Sequence, residues 1–393
     1  MNGFFNVSEC HSASRPDGKN YSCVTCGLYK NGISPRMQPS GGFKKRILNV
    51  GSINNAIEDQ QGTQWQGSSS TYLKRAYERL GIDLYEDCLN INAINCFPGT
   101  NVVNLQQQIL CCRKTVIQTI KEYQPAVIVL FGIEAVQSVI GTRWKKDLGK
   151  IERWRGWTIP DQEFNAWICP VYHPTQIEQV NKEVMTIWTQ DLKRIVEKIN
   201  QPIPQYNVPS IEIIEDLRPL NQMAATVCAF DYETTGLKPH GVGHRIVCAS
   251  IADTEDHAYV FMMPQKKIEI QPFIDFLENA RIAKMAHNMK YEDTWSKVRL
   301  HTTVSPWLFD SMVAAHILDN REYITSLKFQ AYVMFGIDDY DSDIAPYLHS
   351  GSKDGNAINR VLELIALPEG KEKLMTYCAY DSIYEYRLAM LQM

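Results

Sequence analysis

The chain is 393 residues long and 45% hydrophobic, with 40 basic side chains against 44 acidic ones and a net charge of −4. That length predicts two domains with ample core for each, and the charge balance argues against indiscriminate coating of nucleic acid while leaving room for a local basic groove. No apolar run approaches the length of a membrane span and the N-terminus has no signal-peptide pattern, so a soluble, cytoplasmic protein is expected.

Most of the 11 cysteines fall in the first half: Cys10, Cys23, Cys26, Cys88, Cys96, Cys111, Cys112 and Cys169. In an intracellular chain this asymmetry favours a metal centre over disulfides. Cys23-Val24-Thr25-Cys26 is a two-ligand bite that suits zinc, a redox pair or nothing. Residues 46–51 read as a strand entering a loop, followed by Glu58-Asp59, Gln64-Trp65 and a helical pattern over 70–80. Residues 87–96 form a second strand ending in Cys96, a long helix passes through Cys112 to 123, and 126–132 is a fully apolar third strand. Tyr172-His173-Pro174 and an amphipathic run over 182–199 follow. Strands alternating with helices imply a parallel sheet covered on both sides.

Between 143 and 157, Arg143, Lys145, Lys146, Lys150, Arg153 and Arg155 are interleaved with Trp144, Trp154 and Trp157. Basic groups with indoles suit nucleic acid, although aromatics at such spacing are more often core. Pro202, Pro204 and Pro209 mark a semi-rigid linker over 201–209 between a domain of 1–200 and one of 210–393. Residues 211–220 read as a short lead-in helix. Val227-Cys228-Ala229-Phe230 is then a buried strand carrying Asp231 and Glu233 on one face, because side chains alternate along a strand. Alone, that pair reads as a solvated acidic turn. Later come Asn288 with Glu292 and Asp293, then Asp310 as a helix cap, an acidic run over 338–343 read as a solvated loop, and Tyr377 with Asp381 one helical turn apart.

The order Asp-x-Glu, Asn-x-x-x-acid, Tyr-x-x-x-Asp resembles the three exonuclease motifs of the DEDD superfamily in its Tyr-containing subtype, with the proofreading domain of family A DNA polymerases the closest match. Residues 309–318 and 324–327 extend the likeness over roughly 208–393. The resemblance implies an RNase H-like domain with a mixed sheet and two Mg²⁺ or Mn²⁺ ions, about 4 Å apart in such sites. By resemblance, Asp231 bridges both ions, Glu233 and Asp381 complete one site, and Tyr377 orients the attacking water. The family has Asp where this chain has Glu292; Asp293 is adjacent, and spacing favours Glu292.

The first half resembles the family 4 uracil-DNA glycosylases, a three-layer αβα fold with a [4Fe-4S] cluster. The likeness implies Cys23, Cys26, Cys96 and Cys112 as its ligands, with Cys111 and Cys10 as substitutes; on chemistry alone, structural zinc suits four thiolates equally. Trp65 stands where the family has a stacking Phe, Asn92 where it has a uracil-reading Asn, and His173 where it has the active-site His. Simple packing and capping are the alternative for Trp65 and Asn92. The family's catalytic Gly-Glu-Ala-Pro-Gly is replaced by Gly51-Ser52-Ile53-Asn54-Asn55, and the loop after the third ligand is altered to Phe97-Pro98-Gly99-Thr100. A retained scaffold with weakened or absent base excision is expected.

Together the halves resemble the N-terminal part of phage family A polymerases, without palm or finger motifs. The expectation is an α/β protein acting as a metal-dependent 3′–5′ DNA exonuclease that releases nucleoside monophosphates from a 3′ end. It would work with a polymerase module in cis or in trans. Active uracil excision and a non-catalytic polymerase-docking module are the rival expectations.

Overall fold

The computed structural model describes residues 21–99, 105–178, 182–350, 352, 354 and 356–393. Packing divides the chain into one unit up to Thr158 and from Glu163 to Pro202, and a second made of Ile159–Gln162 and Ile203–Met393. Among the described residues no helix is long and apolar enough to cross a membrane.

The first unit opens with a short helix α1 (Cys23–Cys26), capped by Ser22 and ended by Gly27 at φ 72°. Four parallel strands follow in the order β2-β1-β3-β4: β1 (Ile47–Ile53), β2 (Cys88–Ile94), β3 (Val127–Phe131) and β4 (Ala166–Val171). Their residues are nearly all buried, as expected of parallel strands covered on both faces. Strand β1 runs two residues past the expected end at Gly51, because Gly51 and Ile53 stay in register with Asn92 and Ile94. The covering helices include α2 (Ala56–Gln61), α3 (Ser68–Arg79), α4 (Leu105–Tyr123) and α5 (Lys182–Lys198). Trp144 and Trp154 are buried, packed edge to face at 5.7 Å, and donate their indole N–H groups to the carbonyls of Asp147 and Leu148. They belong to the core and are no stacking platform for bases.

The second unit has a six-stranded mixed sheet in the order β10-β9-β6-β7-β8-β5. The strands are β5 (Ser210–Ile213), β6 (Val227–Thr234), β7 (Ile246–Ala252), β8 (His257–Met262), β9 (Ala283–Ala286) and β10 (Trp307–Asp310). The helix expected over 211–220 is instead β5, which takes the open edge of β8 with Ile211 opposite Ala258, and a 3₁₀ turn at Arg218–Gln222. An unpaired strand edge outweighs a weak local helix preference. The segment expected to be a spacer is anchored at its second half, where Tyr206 packs on Phe335 and Asn207 bonds Asp256.

Alternation along β6 divides the core. Phe230 and Tyr232 pack with Phe273, Phe276 and Trp295, whereas Ala229 faces the C-terminal helix α9 (Gly370–Gln392) and packs with Leu374, Cys378 and Ile383. Asp231 and Glu233 share Ala229's side and so point at α9. Lysine 284 is also buried, its ammonium satisfied by the carbonyls of Asn279 and Ser305.

Candidate active site

Three segments far apart in sequence meet beside β6. Asp231 and Glu233 leave the strand, helix α6 (Met289–Trp295) brings Glu292, and α9 brings Tyr377, Asp381 and Glu385 from successive turns. Glu233, Glu292, Tyr377, Asp381 and Glu385 are all buried and Asp231 is half-buried. Asn288 adopts φ 86° at the start of α6, where its backbone N–H and that of Met289 donate to the two carboxylate oxygens of Asp310 at 3.2 and 2.9 Å. Asp310 also accepts from Met312 and Val313, which caps α7 (Ser311–Leu318) as expected. One carboxylate thus pins the turn that aims Glu292 inward. Asp293 turns outward to Lys297 at 2.6 Å and to the Trp307 indole at 3.4 Å, so of the two adjacent acids it is Glu292 that faces the cluster.

Ligand atoms of Asp231, Glu233 and Cys378 lie within 4.8 Å of one another. The Cys378 thiol is 3.7 Å from Asp231 Oδ2 and 3.4 Å from Ser250 Oγ. Asp381 is held separately: Oδ2 accepts from Lys328 Nζ and Oδ1 from the Tyr340 hydroxyl, both at 2.5 Å. Lys328, on α8 (Leu327–Phe335), also lies 4.6 Å from the centre of the Tyr377 ring. The 338–343 segment is therefore not simply a solvated loop, since Tyr340 reaches the cluster and Asp341 is buried. Cys378, Lys328, Tyr340 and Glu385 escaped the sequence reading. Only Glu385 carried a signal, one helical turn beyond Asp381.

The electrostatics follow from crowding acids out of water. Burial, then the neighbouring Asp381, pushes Asp231 up to about 8. Burial and Asp231 hold Glu233 and Glu292 well above the ordinary carboxylate range. Glu385 is raised in the same way by burial, then by Glu292 and Asp231. For Lys328, burial opposes the charged form but Asp381, Asp231 and Glu233 outweigh it, and the ammonium is stabilised. The donor set is rich in hard oxygens, and Glu292 Oε2 and Glu385 Oε1 are buried without a hydrogen-bond partner, a pattern that fits divalent cations. A cleft of about 220 Å³ lined by Glu233, Gly236, Leu237, Tyr291 and Asn359 opens onto this cluster. A larger cavity of about 820 Å³ shares Leu237 and Tyr291 and adds Lys238, His240 and Lys290.

In the first unit, Cys96 and Cys112 are buried with Leu28, Ile94 and Ile109, and Cys26 packs against them. The Cys96 sulfur accepts the Arg36 backbone N–H at 3.2 Å. Cys111 approaches Cys26 and accepts from the Ser22 backbone, and Cys23 bears electrostatically on Cys96, Cys111 and Cys112. Five thiols therefore gather, an all-sulfur donor set fit for an iron-sulfur cluster or zinc. Cys10 and Thr100 lie outside the described residues. Cys88 and Cys169 are buried strand residues, as expected of small core side chains.

Trp65, Asn92 and His173 also come together, but they occupy one another. The Trp65 ring is buried, stacked on His173 at 5.6 Å and edge-on to Phe131 at 4.9 Å. The Asn92 amide donates to Asn54 Oδ1 at 2.7 Å and to Glu58 Oε2 at 3.4 Å, while Glu58 also accepts the backbone N–H of Trp65 and Asn55. A Cβ added at Gly51 would lie 2.0 Å from Asn92 Oδ1 and 3.2 Å from Trp65 Cζ2. Burial lowers His173 to about 4, which leaves it neutral at pH 7.

Comparison with known proteins matches each unit. Residues 39–198 match the family model of the uracil DNA glycosylase superfamily, and residues 210–390 match that of a 3′–5′ exonuclease family. A type-4 uracil-DNA glycosylase of Saccharolobus solfataricus is 24% identical over 184 residues, covering 45% of this chain and 82% of the relative. Similar solved structures include Brucella melitensis NrnC with bound Mg²⁺, at 18% identity and TM-score 0.34, covering 46% of this chain and 77% of that one. The catalytic core of RRP6 from Trypanosoma brucei is another, at 13% identity and TM-score 0.35, covering 48% of this chain and 49% of that one. The two α/β units thus carry separate likenesses, the first to the uracil DNA glycosylase superfamily over residues 39–198 and the second to a 3′–5′ exonuclease family over residues 210–390.

Proposed function

We propose that the protein trims DNA from a single-stranded or frayed 3′ end, hydrolysing the terminal phosphodiester to release a nucleoside monophosphate as the proofreading partner of a family A DNA polymerase. The meeting of Asp231, Glu233, Glu292 and Asp381 with Tyr377 beside an open cleft is the observation that carries this reading. Asp231, Glu233, Glu292 and Asp381 would hold two Mg²⁺ or Mn²⁺ ions, which when bound supply positive charge for the attacking and leaving oxygens. The Tyr377 hydroxyl orients the attacking water. Lys328 steadies Asp381, and exposed Leu237 at the mouth of the cleft is placed to meet the terminal base.

The glycosylase-like domain serves in this reading as a DNA-facing scaffold around a [4Fe-4S] cluster held by Cys23, Cys26, Cys96 and Cys112, with zinc as the alternative metal. Its base pocket is occupied by Trp65 and His173, and Ser52 stands where an acid would handle water, which favours scaffold over excision. A polymerase module joined in cis or recruited in trans completes the assignment, and a phage-encoded protein would act in the host cytoplasm. The test is digestion of 3′-labelled single-stranded DNA with Mg²⁺. Mononucleotide release should cease with chelator and in Asp231→Ala, with DNA affinity largely kept; digestion by the variant at the wild-type rate would place the chemistry elsewhere.

A further inference from the structure

Cys378, next to Tyr377, plays no part in the proposed hydrolysis. It is fully buried on the side of α9 that meets β6 and β7, with its sulfur 3.7 Å from Asp231 Oδ2 and 3.4 Å from Ser250 Oγ. Ligand atoms of Asp231, Glu233 and Cys378 all fall within 4.8 Å of one another. Asp381 stands outside that set, both its oxygens being taken by Lys328 and Tyr340, and so does Cys248, which is opposite Glu233 on β7. The Glu233 carboxylate is only 9% exposed, and among the described residues nothing hydrogen-bonds it, the nearby Lys328 being committed to Asp381. Glu233 also lines the 220 Å³ cleft, which gives an ion a way in.

A thiol has one weak proton to give, so a hydrogen bond to Asp231 leaves the facing Glu233 carboxylate unsatisfied. One cation touching all three groups satisfies both acids. An ion bonded to sulfur at about 2.3 Å and to oxygen at about 2.1 Å in tetrahedral geometry holds those two donors about 3.6 Å apart, close to the 3.7 Å between Cys378 and Asp231. We propose that Cys378 is a metal ligand, and that with Asp231 and Glu233 it forms a mixed sulfur-oxygen site selective for Zn²⁺ or a cation of like softness. Thiolate is the ligating form, so binding releases the thiol proton to solvent. Mg²⁺ or Mn²⁺ at the same position uses the oxygens alone, and the softer ion displaces it. This rests on reading the acidic cluster as a cation site and adds a sulfur to it.

The experiment uses the full chain, freed of loosely held ions by chelator and given Co²⁺ or Cd²⁺ without oxygen. Wild type should show a sulfur-to-cobalt band in the near ultraviolet that Cys378→Ser and Cys378→Ala lose, with Co²⁺ affinity down about tenfold or more and Mn²⁺ affinity unchanged. Should neither variant fold, cadmium magnetic resonance of the wild type decides: a signal between the all-oxygen and all-sulfur ranges, absent from Asp231→Asn, is expected, and a wild type without it overturns the assignment. An unchanged cobalt band and affinity in folded Cys378 variants would overturn the sulfur ligand. Loss of the band in those variants but not in Asp231→Asn would put the thiol on a metal away from the acids, overturning the three-residue set. Failure of Mg²⁺-dependent digestion while the band forms as expected would leave the site standing and sink the nuclease reading alone.

Discussion

Removing one charge from the acidic cluster should destroy the nuclease and yet stabilise the metal-free protein. Asp231 shifts from 3.8 to about 8 on folding because burial and Asp381 disfavour its charge. Between those values the folded chain keeps a proton that the unfolded chain has released, so stability is full below about pH 4 and falls as pH rises towards 8. The slope is about 1.4 kcal/mol per pH unit, which amounts to about 4 kcal/mol by pH 7 as an upper bound, and relaxation around the site halves it in our expectation. Asparagine does not titrate. Asp231→Asn should therefore be about 2–4 kcal/mol more stable than wild type at pH 7 in chelator, with the difference closing towards pH 4. Urea denaturation of the full chain measures this, the relevant transition being the one that moves with Mn²⁺. With Mn²⁺ at a hundred times its dissociation constant, wild type regains about 2.7 kcal/mol that the variant lacks. An Asp231→Asn protein no more stable than wild type in chelator at pH 7, or a difference that grows towards pH 4, would refute the reasoning.

Lys328→Met strips Asp381 of its buried counter-charge and should cost about 3–5 kcal/mol in chelator, with part of the loss restored by Mn²⁺; thermal melts with and without the ion check it. Lys284→Met leaves the carbonyls of Asn279 and Ser305 unpaired and should cost about 1–3 kcal/mol, read by the same melts but without metal rescue. If the proposed base pocket is where Trp65 stacks on His173, uracil-containing DNA should emerge without abasic sites; alkali-labile breaks at uracil would contradict that reading. Purified protein should be brown and carry iron, with Cys96→Ser bleaching it, whereas a colourless wild type with stoichiometric zinc would replace the cluster by the alternative metal.

The sequence by itself determined the parts of the site that obey short-range periodicity. Asp231 and Glu233 share a strand face, Tyr377 and Asp381 share a helix face, and the apolar runs around them specify which faces are buried. The parallel sheet of the first unit was legible for the same reason, since uninterrupted apolar strands alternating with helices have one stable arrangement. Tertiary structure alone decided how side chains from unrelated segments meet. Lys328 and Tyr340 reach Asp381 across more than 40 residues of chain, a pairing no local pattern encodes. It likewise turned Trp144 and Trp154 inward, drew 210–213 onto an open strand edge, and closed Trp65 over His173. Each of these outcomes is a competition between burial and exposure, settled by which partner arrives from elsewhere in the chain.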